Sequence, residues 1–279
     1  MSKLEGKVAL VTGAARGQGR SHAVSLASEG ADIIAIDLCA QIDSVPYPLS
    51  TPDDLAETAK LVEQLDRRIT THQVDIRDLP ALTAEVHAAV AQLGGLDIVC
   101  VNAGIASMSP IAEMEEATWR DVIDVNLTGA FHTVKAAIPH VVQGGRGGSF
   151  ILTSSSTAKR AVPNLGHYVV TKHGILGLTE TLAIELAPHG IRVNAVLPTQ
   201  VDTPMIQNPS IMKLFMPYLD EPTRADAEAP ESPYVALNLL PVPWIDPVDV
   251  SRMVVFLASD DSRYVTGAAM TVDAGYALK

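Results

Sequence analysis

Tyr168 and Lys172, four positions apart in the stretch HYVVTK (167–172), are the first residues whose types and spacing could do chemistry. On a helix, residues i and i+4 share a face one turn apart, and the HGILGLTETLAIEL that follows has a helical apolar pattern. A phenol held beside an ammonium could give and take a proton. A free tyrosine, with a pKa of about 10, is a poor base near neutrality, but a neighbouring positive charge favours its anion. Lowering that pKa by about two units would take roughly 2.7 kcal/mol of interaction. The same spacing also describes an ordinary solvated pair on a helix surface, and the two residues alone leave both readings open.

A second group of residues could hold a phosphate. The apolar run KVALVTG (7–13) leads into TGAARGQGR, where Gly13, Gly17 and Gly19 fall at the turn from strand to helix. Glycines there permit a tight turn and let backbone N–H groups approach a pyrophosphate at the positive helix end. The next strand, DIIAIDL (32–38), ends in Asp37, about 20 residues on. A carboxylate there can accept hydrogen bonds from the adenosine ribose hydroxyls and repel a 2′-phosphate, which favours NAD over NADP. Arg16 inside the loop is a counter-signal, because it could pair with a phosphate. Asp37 could also be a plain strand-end carboxylate.

These groups need a scaffold that gathers strand ends. After the first two strands and the helix SHAVSLASEGA (21–31), the stretch THQVDIRD (71–78) holds a third strand, followed by a helix through LTAEVHAAVAQLG. LDIVCVNAG (96–104), GGSFILTSS (147–155) and IRVNAVLPT (191–199) read as further strands, and AAMTVDAGY as the last. Apolar strands separated by helices indicate a parallel sheet covered on both faces. No linker divides the chain, so residues 1–279 read as one doubly wound, Rossmann-type α/β domain with about seven strands. Two stretches break the rhythm. Residues 38–58 form a Pro-rich insertion of a length that is usually functional or poorly ordered. Residues 203–246 contain eight prolines together with Met205, Met212, Phe215, Met216, Tyr218, Tyr234 and Trp244. Such a segment suits a lid over an apolar ligand, or equally a patch that packs on the core or on a subunit neighbour.

Composition narrows the classes. The chain is 47% hydrophobic and 19% charged, enough apolar material for a sizeable core, which must be built from aliphatic residues because aromatics are 4%. A net charge of −12 without a basic stripe argues against a nucleic-acid partner. No signal-peptide pattern and no run of membrane-spanning length are present, so a cytoplasmic location is expected. Cys39 and Cys100 read as buried reduced thiols. No His, Cys and carboxylate cluster has metal-ligand spacing.

Together the motifs resemble the short-chain dehydrogenase/reductase family over nearly the whole chain. The loop spacing G-x-x-x-G-x-G matches that family and departs from the G-x-G-x-x-G of other dehydrogenases. The resemblance implies cofactor contacts from Gly13, Arg16, Gly17, Gln18 and Gly19, and from Asp37 with Leu38. VDIRD supplies an adenine-contacting Asp75 with Ile76, and NAG supplies Asn102, Ala103 and Gly104. LPTQVDTPM matches the segment that holds the nicotinamide amide, through Val201 and Thr203. DVNLTGAF carries the family asparagine at Asn126, and TSSS lies at the distance from the tyrosine that picks Ser155. Tyr168 is then the acid/base, and Lys172 tunes it and holds the nicotinamide ribose. Ser155 hydrogen-bonds the substrate oxygen, and Asn126 orders a water linking Lys172 to solvent. Ser154 and Ser156 read as strand-end caps, and His167 and His173 as bystanders on other helix faces. Gln18 stands where an aliphatic residue is common, at a position expected to offer mainly backbone. Thr199 replaces a frequent glycine.

The insertion after IDL resembles, more narrowly, the NAD-dependent branch associated with the mycofactocin redox system, which includes carveol dehydrogenases. That implies a tightly held nicotinamide and a separate redox carrier. The expectation is an NAD-dependent dehydrogenase of a small, apolar, cyclic, terpenoid-like secondary alcohol, assembled as a homotetramer. The alternatives are a 3-oxoacyl thioester reductase, which usually prefers NADP and basic residues for its carrier, and a nicotinamide-binding protein without chemistry.

Overall fold

Short runs of aliphatic and β-branched residues form the strands, and in the first two nearly every position is buried, as a sheet covered on both sides requires. The computed structural model describes residues 2–279. The strands are β1 (Val8–Thr12), β2 (Asp32–Asp37), β3 (Ile69–Gln73), β4 (Ile98–Val101), β5 (Gly148–Thr153), β6 (Ile191–Pro198) and β7 (Ala269–Val272). They pair in parallel in the order β3-β2-β1-β4-β5-β6-β7, giving the expected seven-stranded, doubly wound Rossmann-type sheet. The order reverses between β1 and β4, so the carboxyl ends of those strands open the crevice in which such sheets bind ligands.

Adjacent strand residues face opposite layers. Leu10, Ile34, Val99 and Phe150 pack under α3 (Leu79–Leu93), α5 (Gly129–Gly144) and α6 (Gly166–Leu186). Val11, Ile33, Cys100 and Ile151 pack under α1 (Gly17–Ser28), α2 (Pro52–Glu63) and α10 (Pro247–Ala258). Cys39 and Cys100 are both buried free thiols. Among the described residues no helix is long and apolar enough to cross a membrane.

Several boundaries differ from the sequence reading. The first helix begins at Gly17, inside the glycine loop, rather than after it. The third strand starts at Ile69 and ends at Gln73, so Asp75 lies in the loop beyond it. This strand is an edge with polar, partly exposed residues, which blurs its apolar signature. Between α4 (Glu116–Ile123) and α5, residues Asp124–Thr128 form a π turn, one residue wider than a regular helical turn.

The insertion is irregular only through Thr51. Thr51 and Asp54 then make a reciprocal capping box that starts α2 at Pro52. Its loop is anchored by Ile42, Val45 and Tyr47, all in the core. Residues 203–246 fold into three short helices, α7 (Pro209–Phe215), α8 (Arg224–Glu228) and α9 (Pro233–Ala236). Met212, Met216, Ala227, Tyr234 and Trp244 form a small apolar cluster of their own within it.

Candidate active site

The crevice at β1 and β4 is built around glycines. Gly13 has φ +67° and Gly17 φ +56°, both in the left-handed region. A Cβ on Gly19 would stand 1.9 Å from the Gly13 carbonyl oxygen, so the loop closes on itself only with hydrogen there. The N-terminus of α1 that follows has no side-chain cap and no acidic residue in its first turn. It presents free N–H groups and a positive helix end, which is what a pyrophosphate requires.

Twelve of the expected cofactor residues line one cleft: Gly13, Arg16, Gly17, Gln18 and Gly19 from the loop, Asp37 and Leu38 beyond β2, Asp75 and Ile76 beyond β3, and Asn102, Ala103 and Gly104 beyond β4. Thr203 completes the wall from the other side. Asn102 is fixed by its own amide, which donates to the Thr12 carbonyl at 3.1 Å.

Asp37 does more than end a strand. It is buried, with one oxygen accepting from Ala15 N–H at 2.9 Å and the other from Cys39 N–H at 3.1 Å and Ser50 Oγ at 2.6 Å. The insertion therefore closes onto the cofactor cleft through Ser50, and Ala40, Ile42, Tyr47 and Leu49 join its lining. Arg16, read as a possible phosphate partner, instead donates to the Pro48 carbonyl of the insertion. Asp75 is likewise committed. Arg77 grips both of its oxygens, at 2.9 Å and 3.1 Å from Nε. Burial works to raise the Asp75 pKa, but the hydrogen bonds and charge of Arg77 hold it below the usual carboxylate range.

A second cleft adjoins the first and is lined by Ser155, Tyr168, Lys172, Val201 and Thr203. The two share Gln18, Asn102, Gly104, Thr203 and Met205, so they meet at the end of β4. The remaining walls of the second cleft include Met108, Val162, Leu165, Ile206, Ile211 and Phe215. Tyr168 and Lys172 sit one turn apart on α6, with the Lys172 ammonium 5.3 Å from the phenol ring centroid. Lys172 is buried and donates to the Thr153 carbonyl at 2.8 Å. A Cβ on Gly104 would crowd Asn126 Oδ1 at 3.3 Å and only touch Lys172 Nζ, at 3.7 Å. Ser155 follows β5 and is buried, accepting from Thr157 N–H at 3.1 Å. Ser154 instead donates to the Lys172 carbonyl at 2.7 Å, and Ser156 to the Leu197 carbonyl at 3.2 Å, so both are structural, as expected.

Three features depart from the sequence reading. Burial pushes the Tyr168 phenol up to about 12, with the Ser155 hydroxyl pulling against it and Tyr47 adding to it. The expected lowering by Lys172 is therefore not a property of the protein alone, because burial also drives Lys172 down to about 8 and weakens its hold on a proton. Asn126 lies in the π turn behind the clefts, and its amide is spent on Ile105. It accepts from Ile105 N–H at 2.8 Å and donates to the Ile105 carbonyl at 2.9 Å. Its side chain clamps the chain after β4. Gln18 presents more than backbone, since it lines both clefts and its buried Oε1 has no partner.

His167 is fully buried. Its Nε2 pairs with Ser107 Oγ at 2.8 Å and its Nδ1 accepts from Tyr168 N–H at 2.9 Å, so it anchors the start of α6. His173 is exposed. The sequence reading missed Tyr47 and Ser50, hidden in a stretch that reads as loop, and Tyr276, which lines the second cleft from the C-terminal segment. The one available signal was Ser50-Thr51-Pro52, an N-cap pattern directly before a helix that must pack near Asp37.

A family model described as Enoyl-(Acyl carrier protein) reductase matches residues 13–277. The chain is 52% identical over 280 residues to a (-)-trans-carveol dehydrogenase of Rhodococcus erythropolis, covering 100% of both chains. It superposes on the crystal structure of carveol dehydrogenase from Mycobacterium avium in complex with NAD with a TM-score of 0.98, at 55% identity and 100% coverage of both. A short-chain dehydrogenase from Mycobacterium paratuberculosis bound to NAD gives a TM-score of 0.91 at 43% identity, covering 99% of this chain and 100% of that one. The protein belongs to the short-chain dehydrogenase/reductase family and is an oxidoreductase of its carveol dehydrogenase-like branch.

Proposed function

We propose that this protein is an NAD-dependent dehydrogenase that interconverts a small, apolar, cyclic secondary alcohol and its ketone, with Tyr168 as acid/base. The observation that carries the reading is the meeting of the two clefts, where Ser155, Tyr168 and Lys172 face a mostly apolar pocket beside the glycine loop. The cofactor cleft fits NAD on its own chemistry. The uncapped α1 N-terminus and the Cβ-free loop suit the pyrophosphate, and the buried Asp37 carboxylate opposes a 2′-phosphate. Val201 and Thr203 would hold the nicotinamide end. Asp75, with both oxygens on Arg77, would contribute to adenine contact mainly through the position of the loop it braces.

Bound NAD supplies the acceptor for the carbinol hydride. The chain must take the hydroxyl proton. Ser155 would orient the alcohol oxygen, and Tyr168 would receive its proton. A phenol raised to about 12 needs added positive charge before it can act as a base near neutrality. The Lys172 ammonium and the positive ring of the bound cofactor would together provide that charge. Lys172 is placed by Thr153 and by the Ser154 bond to its own carbonyl.

The apolar walls from Met205, Ile206, Ile211 and Phe215 support a terpenoid-like ring, with residues 203–246 acting as the lid. The net charge of −12 speaks against an acidic acyl carrier, and hence against a thioester reductase. Closure of the insertion over Asp37 supports a slowly exchanging cofactor reoxidised by a separate carrier. Exposed Phe131, Val170 and Ile184 on α5 and α6 support assembly into a homotetramer, and a cytoplasmic location fits the reduced thiols. The test is turnover of cyclic secondary alcohols with NAD, with and without an artificial electron acceptor. Tyr168→Phe should lose activity by at least about a thousandfold while binding NAD within about threefold of the wild type. Substantial turnover in that variant would refute the role given to Tyr168.

A further inference from the structure

Three consecutive residues after β4 are each gripped by a different element. Asn126 of the π turn holds both backbone groups of Ile105. His167, at the start of α6, pairs with the Ser107 hydroxyl at 2.8 Å. Between them, Ala106 N–H donates to the Tyr47 hydroxyl at 3.1 Å, and Tyr47 comes from the Pro-rich insertion, 59 residues away. Ile105, Ala106 and Ser107 are all buried, as are Tyr47, Asn126 and His167. The segment separates the two clefts: Tyr47 and Ile105 line the cofactor side, and Ala106 lines the substrate side.

We infer that Tyr47 is a positioning residue for the reaction, through which the insertion sets a wall of the substrate cleft that Tyr168 also lines. The inference rests on the function proposed above. Ala106 N–H is buried and has no other acceptor, so without the Tyr47 hydroxyl it loses its only bond and the segment is held at its two ends alone. The far clamp is covalently next to Tyr168, since His167 also accepts the Tyr168 N–H. A shift of Ala106 therefore moves one wall of the alcohol site relative to the phenol, while the glycine loop and Asp37 stay as they are. The ring of Tyr47 packs in the core around Ile42 and Val45, and only its hydroxyl reaches across to Ala106.

Tyr47→Phe keeps the ring and removes the hydroxyl. In cofactor-free protein, hydrogen exchange followed by mass spectrometry on a peptide spanning 101–110 should show about tenfold faster exchange at Ala106, the scale of one buried hydrogen bond lost. With NAD and the best cyclic alcohol, kcat/KM for the alcohol should fall about fivefold to tenfold, while the NAD dissociation constant stays within about twofold. Ser107→Ala, which releases the next clamp, should change the same quantities in the same direction. Unchanged exchange in Tyr47→Phe would overturn the inference, as would faster exchange with unchanged alcohol kcat/KM or a loss confined to NAD affinity. If wild-type protein turns over no alcohol while Tyr47→Phe still speeds the exchange, the proposed reaction fails and the clamp on Ala106 stands.

Discussion

Replacing Lys172 with methionine should make the cofactor-free protein more stable at neutral pH. Lys172 is 4% exposed, hydrogen-bonds only to the Thr153 carbonyl, and has no carboxylate paired with it. Burial lowers its pKa from 10.5 to about 8. At about 1.4 kcal/mol for each tenfold change in a proton equilibrium, keeping that ammonium in the folded protein costs on the order of 3 kcal/mol below pH 8. Methionine has nearly the same shape without the charge. Its gain is reduced by about 1 kcal/mol because the Thr153 carbonyl loses a donor, leaving a net stabilisation of about 2 kcal/mol at pH 7. The sign follows from linkage. Between pH 8 and 10.5 the unfolded chain binds the Lys172 proton and the folded chain does not, so wild-type stability rises with pH across that window. The advantage of Lys172→Met should shrink through the window and, as the charge penalty disappears, give way to a deficit of about 1 kcal/mol from the hydrogen bond lost at Thr153. Urea unfolding of both proteins, at one protein concentration and from pH 6.5 to 10.5, gives the difference free of the groups they share. A difference that is flat across the window, or a variant less stable at pH 7, would refute this account of the buried ammonium.

Two further outcomes follow from the cofactor cleft. Asp37→Ala strips the acceptor from Ala15 and Cys39 N–H and removes the charge facing the ribose. It should lower stability by about 2 kcal/mol and raise the NADP-to-NAD ratio of kcat/KM at least tenfold, measured by denaturation and by steady-state kinetics. Gly19→Ala would place a methyl 1.9 Å from the Gly13 carbonyl, so the loop must open; NAD affinity, read by titration calorimetry, should fall at least about a hundredfold. An alanine variant that binds NAD normally would show that the loop has room which its geometry denies.

The strand ends and their chemistry could be read from the chain because both follow short-range rules. Glycines mark turns, apolar runs mark buried strands, and a period of four places Tyr168 over Lys172. The sheet and the glycine loop therefore emerge from neighbouring letters, whereas the choice of Ser155 among its neighbours rests on the family resemblance. What stayed hidden depends on partners far away in sequence. The clamp of Asn126 on Ile105, 21 residues back, is one such contact. The bonds that tie Arg16 to Pro48 and Asp75 to Arg77 within the cofactor cleft are likewise invisible in the loop motif and in VDIRD, which read as ligand contacts. Spacing shows the lysine that favours the Tyr168 anion and not the burial that opposes it. His167 was dismissed as a bystander on correct helix geometry, yet the same geometry turns it toward Ser107.

The π turn at Asp124–Thr128 separates two quantities that are usually measured together, helix content and helix phase. Deleting one residue there would let α4 and α5 run on as a regular helix, a change invisible to circular dichroism and favourable to the backbone. Every residue beyond the deletion would turn by about 100° about the axis. Gly129 would then leave the Ile76 side chain, whose Cδ1 lies 2.6 Å from where its Cβ would be, and α5 would present a different stripe to α3. The surplus residue works as a phase shifter: it lets one continuous rod aim Asn126 at Ile105 and still seat α5 on the sheet. A chain could thus keep all of its helix and lose its site by the removal of a single codon.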